Sequence, residues 1–130
     1  MSLLSVTPNL MVYNVEETVE YYQNNFGFVL LETVPEKPSY DWAMMKKDNV
    51  VLMFQSKKSL ENEIEVLKTQ KPGGGVTLYI KTDNVEQLYE EVNKKVEIVS
   101  DLEHTFYGTK EFSIIDLNGY VLTFAQHVEG

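Results

Sequence analysis

The sequence predicts an α+β fold made of two tandem βαβββ modules, and three observations carry that prediction. Short apolar stretches with period 2 alternate with two segments of helical spacing. Each helical segment begins at an Asn-Val-Glu tripeptide, Asn14-Val15-Glu16 and Asn84-Val85-Glu86. The two tripeptides stand 70 residues apart, and several other matches keep that offset.

Taken in order, Ser5 to Tyr13 alternates as a strand. Val15 to Asn25 follows as a helix, with Val15, Val19 and Tyr22 on one stripe, Asn14 as its N-cap, Glu16 and Glu17 in its first turn and Gly27 behind it. Phe28 to Val34 is β-rich. After a Pro-containing loop, Asp41 to Met45 and Val50 to Gln55 flank a Lys46-Lys47-Asp48-Asn49 turn. This first module covers residues 4–57, and a connector, 58–73, holds a polar helical segment from Leu60 to Lys68 and runs into the Gly73-Gly74-Gly75 stretch. The second module, 74–127, repeats the order: Val76 to Thr82 a strand, Val85 to Asn93 a helix, Val96 to Ser100 a strand, and a hairpin of residues 113–126 around Asp116-Leu117-Asn118-Gly119.

The 70-residue shift lays Thr7 on Thr77, Trp42 on Phe112, Val51-Leu52 on Val121-Leu122, Phe54 on Phe124 and Met53 on Thr123. Strand falls on strand and helix on helix, as a duplicated module requires. At 130 residues, with 43% hydrophobic and 12% aromatic side chains, the chain is sized for a single domain, 1–130, with one core.

Composition excludes several function classes. A net charge of -9 argues against a nucleic-acid partner, whose binding needs clustered Lys and Arg, and leaves a modest preference for neutral or cationic ligands. There is no apolar run of about eighteen residues and no charged-then-apolar leader, so no membrane span is expected and the expected address is the cytoplasm. The absence of cysteine removes disulfides, thiolate metal sites and cysteine nucleophiles together.

Three phrases carry a family resemblance: TPNLMVYNVEETVEYYQNNFGFVLLE, VVLMFQ and YGTKEFSIIDLNGYVLTFAQ. They resemble the vicinal oxygen chelate superfamily of glyoxalases, bleomycin-resistance proteins and extradiol dioxygenases over nearly the whole chain. The most specific parts are the helix-to-strand phrase NVEETVEYYQNNFGF and the pair Lys110-Glu111-Phe112 and Asp116-Leu117-Asn118-Gly119-Tyr120, which match REF and DPDGY. Lysine stands for the usual arginine and leucine for the proline; neither disturbs the hairpin. The resemblance implies two βαβββ modules whose sheets curl into a mixed-sheet cup with helices outside, commonly as a homodimer.

Alternation then proposes a lining. With Pro8, Leu10 and Val12 under the helices, Thr7, Asn9 and Met11 face inward, as do Met53 and Gln55, Thr77 and Tyr79, and Thr123. A two-residue hairpin loop, either Leu117-Asn118 or Asn118-Gly119, places Phe112 and Ile114 on the face of Thr123, and the 70-residue shift adds Trp42 and Met44. Aromatic, thioether, amide and hydroxyl groups together describe a pocket for a small molecule, aromatic or weakly cationic. The same residue types also make ordinary core.

Enzymes of this resemblance hold a divalent metal with His or carboxylate from the first and last strands of each module. The matching positions here are Thr7, Met53, Thr77 and Thr123, none a competent ligand for Zn, Ni, Fe or Mn. Nor do Ser5 to Tyr13, Val50 to Ser56, Val76 to Thr82 or Gly119 to Gln126 contain any His, Asp or Glu, so a two-residue slip does not rescue a metal site. No metal or other cofactor is expected. His104, in a loop, is a candidate ligand contact or general base; His127 reads as surface; Gly73-Gly74-Gly75 lacks a phosphate-loop context and reads as a hinge; Glu61, Glu63 and Glu65 read as solvated. The expected function is metal-free binding of a small molecule. The alternatives are a glyoxalase-like lyase or dioxygenase using His104, Glu111 or a partner chain, and a structural or regulatory dimer.

Overall fold

Asn14 sets the first helix: its side chain accepts from the Glu17 amide at 2.8 Å, and Gly27 closes the far end at φ +72. The computed structural model describes residues 1–128, and among these are eight strands, three α-helices and one 3-10 helix. The chain divides into two compact units, residues 1–72 and the stretch from Gly73 on.

In the first unit β1 (Asn9–Val12), α1 (Val15–Phe26), β2 (Val29–Val34), β3 (Trp42–Lys47) and β4 (Val50–Ser56) give a sheet of order β1-β4-β3-β2. The β1–β4 pair is parallel and the others antiparallel. Helix α1 lies on one face and buries Val15, Thr18, Val19, Tyr22 and Phe26. Tyr22 is its anchor, with ring centroids 4.9 Å from Phe54 and 5.6 Å from Phe28. Ala43, Met45 and Leu52 complete this core. The connector folds as α2 (Lys57–Glu63), capped by Ser56, and a 3-10 turn, Glu65–Thr69.

The second unit repeats the plan with β5 (Thr77–Lys81), α3 (Val85–Val92), β6 (Glu97–His104), β7 (Thr109–Ile115) and β8 (Val121–His127), in the order β5-β8-β7-β6. Asn84 caps α3 as Asn14 caps α1. The carboxamide of Gln126 ties β8 to the start of α3, accepting from the Val85 amide at 2.9 Å and donating to the Asp83 carbonyl at 2.8 Å. Helix α3 buries less than α1, with only Val85 and Val92 fully enclosed, while Tyr89 stacks edge-on to Phe112 at 5.1 Å. The architecture is therefore the predicted α+β class, two four-stranded mixed sheets with three helices, and neither sheet is closed.

The two closing hairpins differ by one residue. In the first, Lys47 faces Val50 across the two residues Asp48 and Asn49. In the second, the Asp116 amide donates to Tyr120 at 2.9 Å, so three residues, Leu117 to Gly119, make the loop. Asp116 builds it: its Oδ1 accepts from the amides of Asn118 at 2.8 Å and Tyr120 at 2.9 Å, and Gly119 supplies φ +90. Gly73 packs on this turn so closely that a Cβ there would lie 2.7 Å from the Asn118 carbonyl. A helical or strand position would tolerate alanine; this one does not.

Candidate functional site

A one-residue change of loop length inverts a strand's faces. With three loop residues, Phe112 pairs with Phe124 and Ile114 with Leu122, on the side of α3, and both are buried at 1% and 0% exposure. The expected placement of Phe112 and Ile114 beside Thr123 is thus corrected. The residues that do share the face of Thr123 are Ser113, its direct partner, and Glu111, opposite Ala125. Trp42 corresponds in the sheet to Glu111 rather than to Phe112, because the extra turn residue shortens the offset between β3 and β7 to 69 while Met53 and Thr123 keep 70.

In the first unit the face away from α1 is largely apolar, with α2 against one end of it. Met44 pairs with Met53 and Trp42 with Gln55, and Asn9 and Met11 continue the rows from β1. Trp42, Met44 and Met53 are half-buried, Asn9 is exposed, and Thr7, just before β1, is half-buried. Two of the expected pocket residues have other duties. Gln55, 5% exposed, donates to Ser59 Oγ at 2.9 Å and Glu63 Oε2 at 3.0 Å and accepts from Asn9 Nδ2 at 2.9 Å. Its amide is spent on α2, which also packs on β1, and Met11 is buried. Glu63 is accordingly a partner of Gln55 rather than a merely solvated charge. Surface depressions of about 430 Å³ (Leu30, Leu31, Glu32, Thr33, Glu36, Tyr40) and about 300 Å³ (Asp41, Lys58, Ser59, Asn62) lie elsewhere on this unit.

The helix-free face of the second unit is hydroxylic and carries one oriented carboxylate. Ser113 Oγ and Thr123 Oγ1 are hydrogen-bonded at 2.7 Å, and Tyr79 stands opposite Thr123 on β5 with exposed Thr77 two residues before it. Glu111 gathers three donors: Tyr79 Oη at 2.6 Å and Thr109 Oγ1 at 2.7 Å on Oε2, and Tyr107 Oη at 2.9 Å on Oε1. Thr105, hydrogen-bonded to Thr109 at 2.7 Å, extends the chain of hydroxyls. Partial burial pulls the Glu111 carboxyl upward, but the bonds from Tyr79, Thr109 and Tyr107 outweigh it and hold the group below the ordinary carboxylate value. The same bonds to a carboxylate raise the Tyr79 and Tyr107 hydroxyls. Glu103 lies directly across from Glu111 on β6.

His104 does not join this group. It is the last residue of β6, not a loop residue, and it pairs with Lys110, whose ammonium is ion-paired to Glu86 at the start of α3. Lys110, with a smaller contribution from His104, holds the Glu86 carboxyl below its ordinary value. His104 therefore belongs to the helix side, opposite Glu111. His127 ends β8 and is exposed, as a surface residue should be.

The metal implied by the resemblance does not fit. Thr123 shares its hydroxyl with Ser113, Met53 faces Met44, and Thr7 and Thr77 offer only neutral hydroxyls. Among the described residues no three His, Asp or Glu side chains converge as a metal centre would require. Glu111 and Tyr107 were the residues the alternation argument missed. For Glu111 the signal was the Asp116-Leu117-Asn118-Gly119 sequence, where Gly at the third loop position favours a three-residue turn; Tyr107, in the β6–β7 loop, had no such signal.

Among solved structures, the chain resembles a glyoxalase/bleomycin resistance protein/dioxygenase from Nocardioides (TM-score 0.81, 18% identity, covering 100% of this chain and 87% of that one). It also resembles TioX from Micromonospora sp. ML1 (TM-score 0.74, 18% identity, 97% and 100% covered). A third is the bleomycin-binding protein of Streptomyces verticillus, solved with copper(II)-bleomycin (TM-score 0.65, 16% identity, 100% and 99% covered). No curated protein sequence is significantly similar to the chain. At such identities the structural likeness speaks to the fold, and residues 4–124 match the family model directly. The chain belongs to the glyoxalase/bleomycin resistance protein/dioxygenase superfamily.

Proposed function

We propose that the protein is a metal-free binder of a small aromatic or drug-like molecule, of the bleomycin-resistance kind. The observation that carries this reading is the donor set. Where metalloenzymes of the family hold their ion, this chain offers Thr7, Met53, Thr77 and Thr123, while the sheet faces away from α1 and α3 present indole, thioether and hydroxyl groups. A neighbour of the same fold that binds bleomycin supports a drug-like ligand. In this reading modules 4–57 and 74–127 act as one domain through the connector 58–73, and the protein works as a cytoplasmic homodimer.

An enzyme built on His104 and Glu111 has no geometric support, because the register sets them on opposite faces. Elemental analysis after dialysis, run beside melting scans with Zn, Ni, Fe and Mn, tests the proposal. No stoichiometric metal and no metal-dependent stabilisation are expected. About one tightly held transition metal per chain, lost with a lyase or catechol-cleaving activity on chelation, would overturn it. Light scattering at micromolar protein should give twice the chain mass; a concentration-independent monomer removes the dimer. Trp42 emission should shift with planar aromatic compounds. A dimer that binds none of them would be the structural or regulatory protein instead.

A further inference from the structure

We propose that Glu111, Tyr79 and Tyr107 form a seat for an organic ammonium ion on the helix-free face of the second sheet. The proposal rests on the reading of that face as a ligand surface and names the chemistry it selects.

The first argument is satisfaction. An ionised carboxylate offers about four acceptor positions. Tyr79 and Thr109 occupy Oε2 and Tyr107 occupies one position of Oε1, which leaves Oε1 one acceptor position for a further donor. Every donor present is a neutral hydroxyl, so the negative charge is oriented but not neutralised. Among the described residues the ion pairs are Lys57–Glu61, Lys68–Glu65 and Lys110–Glu86, and none involves Glu111. Lys81 shares the face but lies two strands away, beyond Ala125.

The second argument is aromatic. Tyr79 and Tyr107 keep 50% and 53% of their surface exposed although their hydroxyls are held. The fully exposed Phe106 ring stands 5.0 Å from Tyr107 at 89°. Rings flanking a carboxylate attract an ammonium through their faces while the carboxylate takes its N–H.

The third argument is comparison within the chain. The sheet position of Glu111 is filled by Trp42 in the first unit, so this fold does not need a carboxylate there. A bare metal ion is the poorer occupant, since no second and third carboxylate or imidazole converge on the site among the described residues.

The test uses the full chain and three probes of one shape: 2-phenylethylammonium, 2-phenylethanol and phenylacetate, followed by calorimetry and by amide shift mapping. The ammonium should bind roughly tenfold or more tightly than the alcohol, weaken with added salt, and shift amides of β5 and β7; phenylacetate should bind weakest. Glu111→Gln should remove the preference for the ammonium and leave the alcohol unchanged. Tyr79→Phe and Tyr107→Phe, which keep the rings, should weaken the ammonium several-fold and retain the preference. Should Glu111→Gln fail to fold, the probe ranking and the shift map of the unmodified protein decide. Equal binding of ammonium and alcohol on this face overturns the cation seat while leaving the ligand surface standing. An ammonium preference that survives Glu111→Gln also overturns the seat, and no probe shifting this face overturns both.

Discussion

The two units are built to one plan and present different chemistry. In the first, the face away from α1 carries Trp42, Met44 and Met53, and α2 takes up Gln55 at one end of it. In the second, the corresponding face carries Glu111, Ser113 and Thr123, and hydroxyl donors replace the covering helix. One residue in a turn accounts for much of the divergence. It moves an alternating strand by one position, so that Phe112 enters the core where Ala43 stands in the first unit, and Glu111 comes out where Trp42 stands. Duplication preserved the scaffold, and a turn length reassigned which side chains meet solvent.

The register claim breaks most visibly by mutation of neighbours in β7. Phe112→Ala should cost about 3–5 kcal/mol in urea unfolding, because it empties a fully buried ring site between Tyr89 and Phe124. Ser113→Ala, one residue on, should cost about 1 kcal/mol or less, the worth of one half-exposed hydrogen bond. The reverse ranking would mean that the loop holds two residues.

The covering of the first face is sharpened by Gln55→Ala. It removes the bonds to Asn9, Ser59 and Glu63 and should cost about 1–3 kcal/mol, with faster amide exchange in α2. A change confined to β4 would show that α2 does not depend on this amide.

The smallest effect concerns the carboxylate of the second face. Glu111 is held below its ordinary value in the folded state, so its contribution is complete above the ordinary carboxylate range and is lost as pH falls through the depressed value. Stability of the natural protein minus that of Glu111→Gln should therefore be flat near neutrality and shrink in acid. In alkali the raised Tyr79 and Tyr107 hydroxyls contribute below the ordinary tyrosine value and lose that contribution as pH rises through the raised ones. A difference that grew on acidification would contradict the hydroxyl network. Tyr79 and Tyr107 are largely exposed and Glu111 is only half-buried, so solvent screening keeps the effect small.

The sequence by itself determined what is local. Asn14 and Asn84 announce their helices because the cap bond spans three residues, and Tyr120, Leu122 and Phe124 declare their buried face because alternation needs only one strand. The 70-residue repeat determined the module order and the fold class. Pairing between strands was decided by tertiary structure, since face depends on the parity of the loop and a single residue reverses it. Trp42 and Met44 share the face of Met53 because the first hairpin has a two-residue loop, the opposite parity to the loop that separates Phe112 from the face of Thr123. The Gly119 turn carries the parity that brings Glu111 to the face of Thr123, but the donors gathered around it were beyond sequence reach. Tyr79, Tyr107 and Thr109 come from β5, a loop and β7, and only the folded register brings three hydroxyls within hydrogen-bonding distance of one carboxylate.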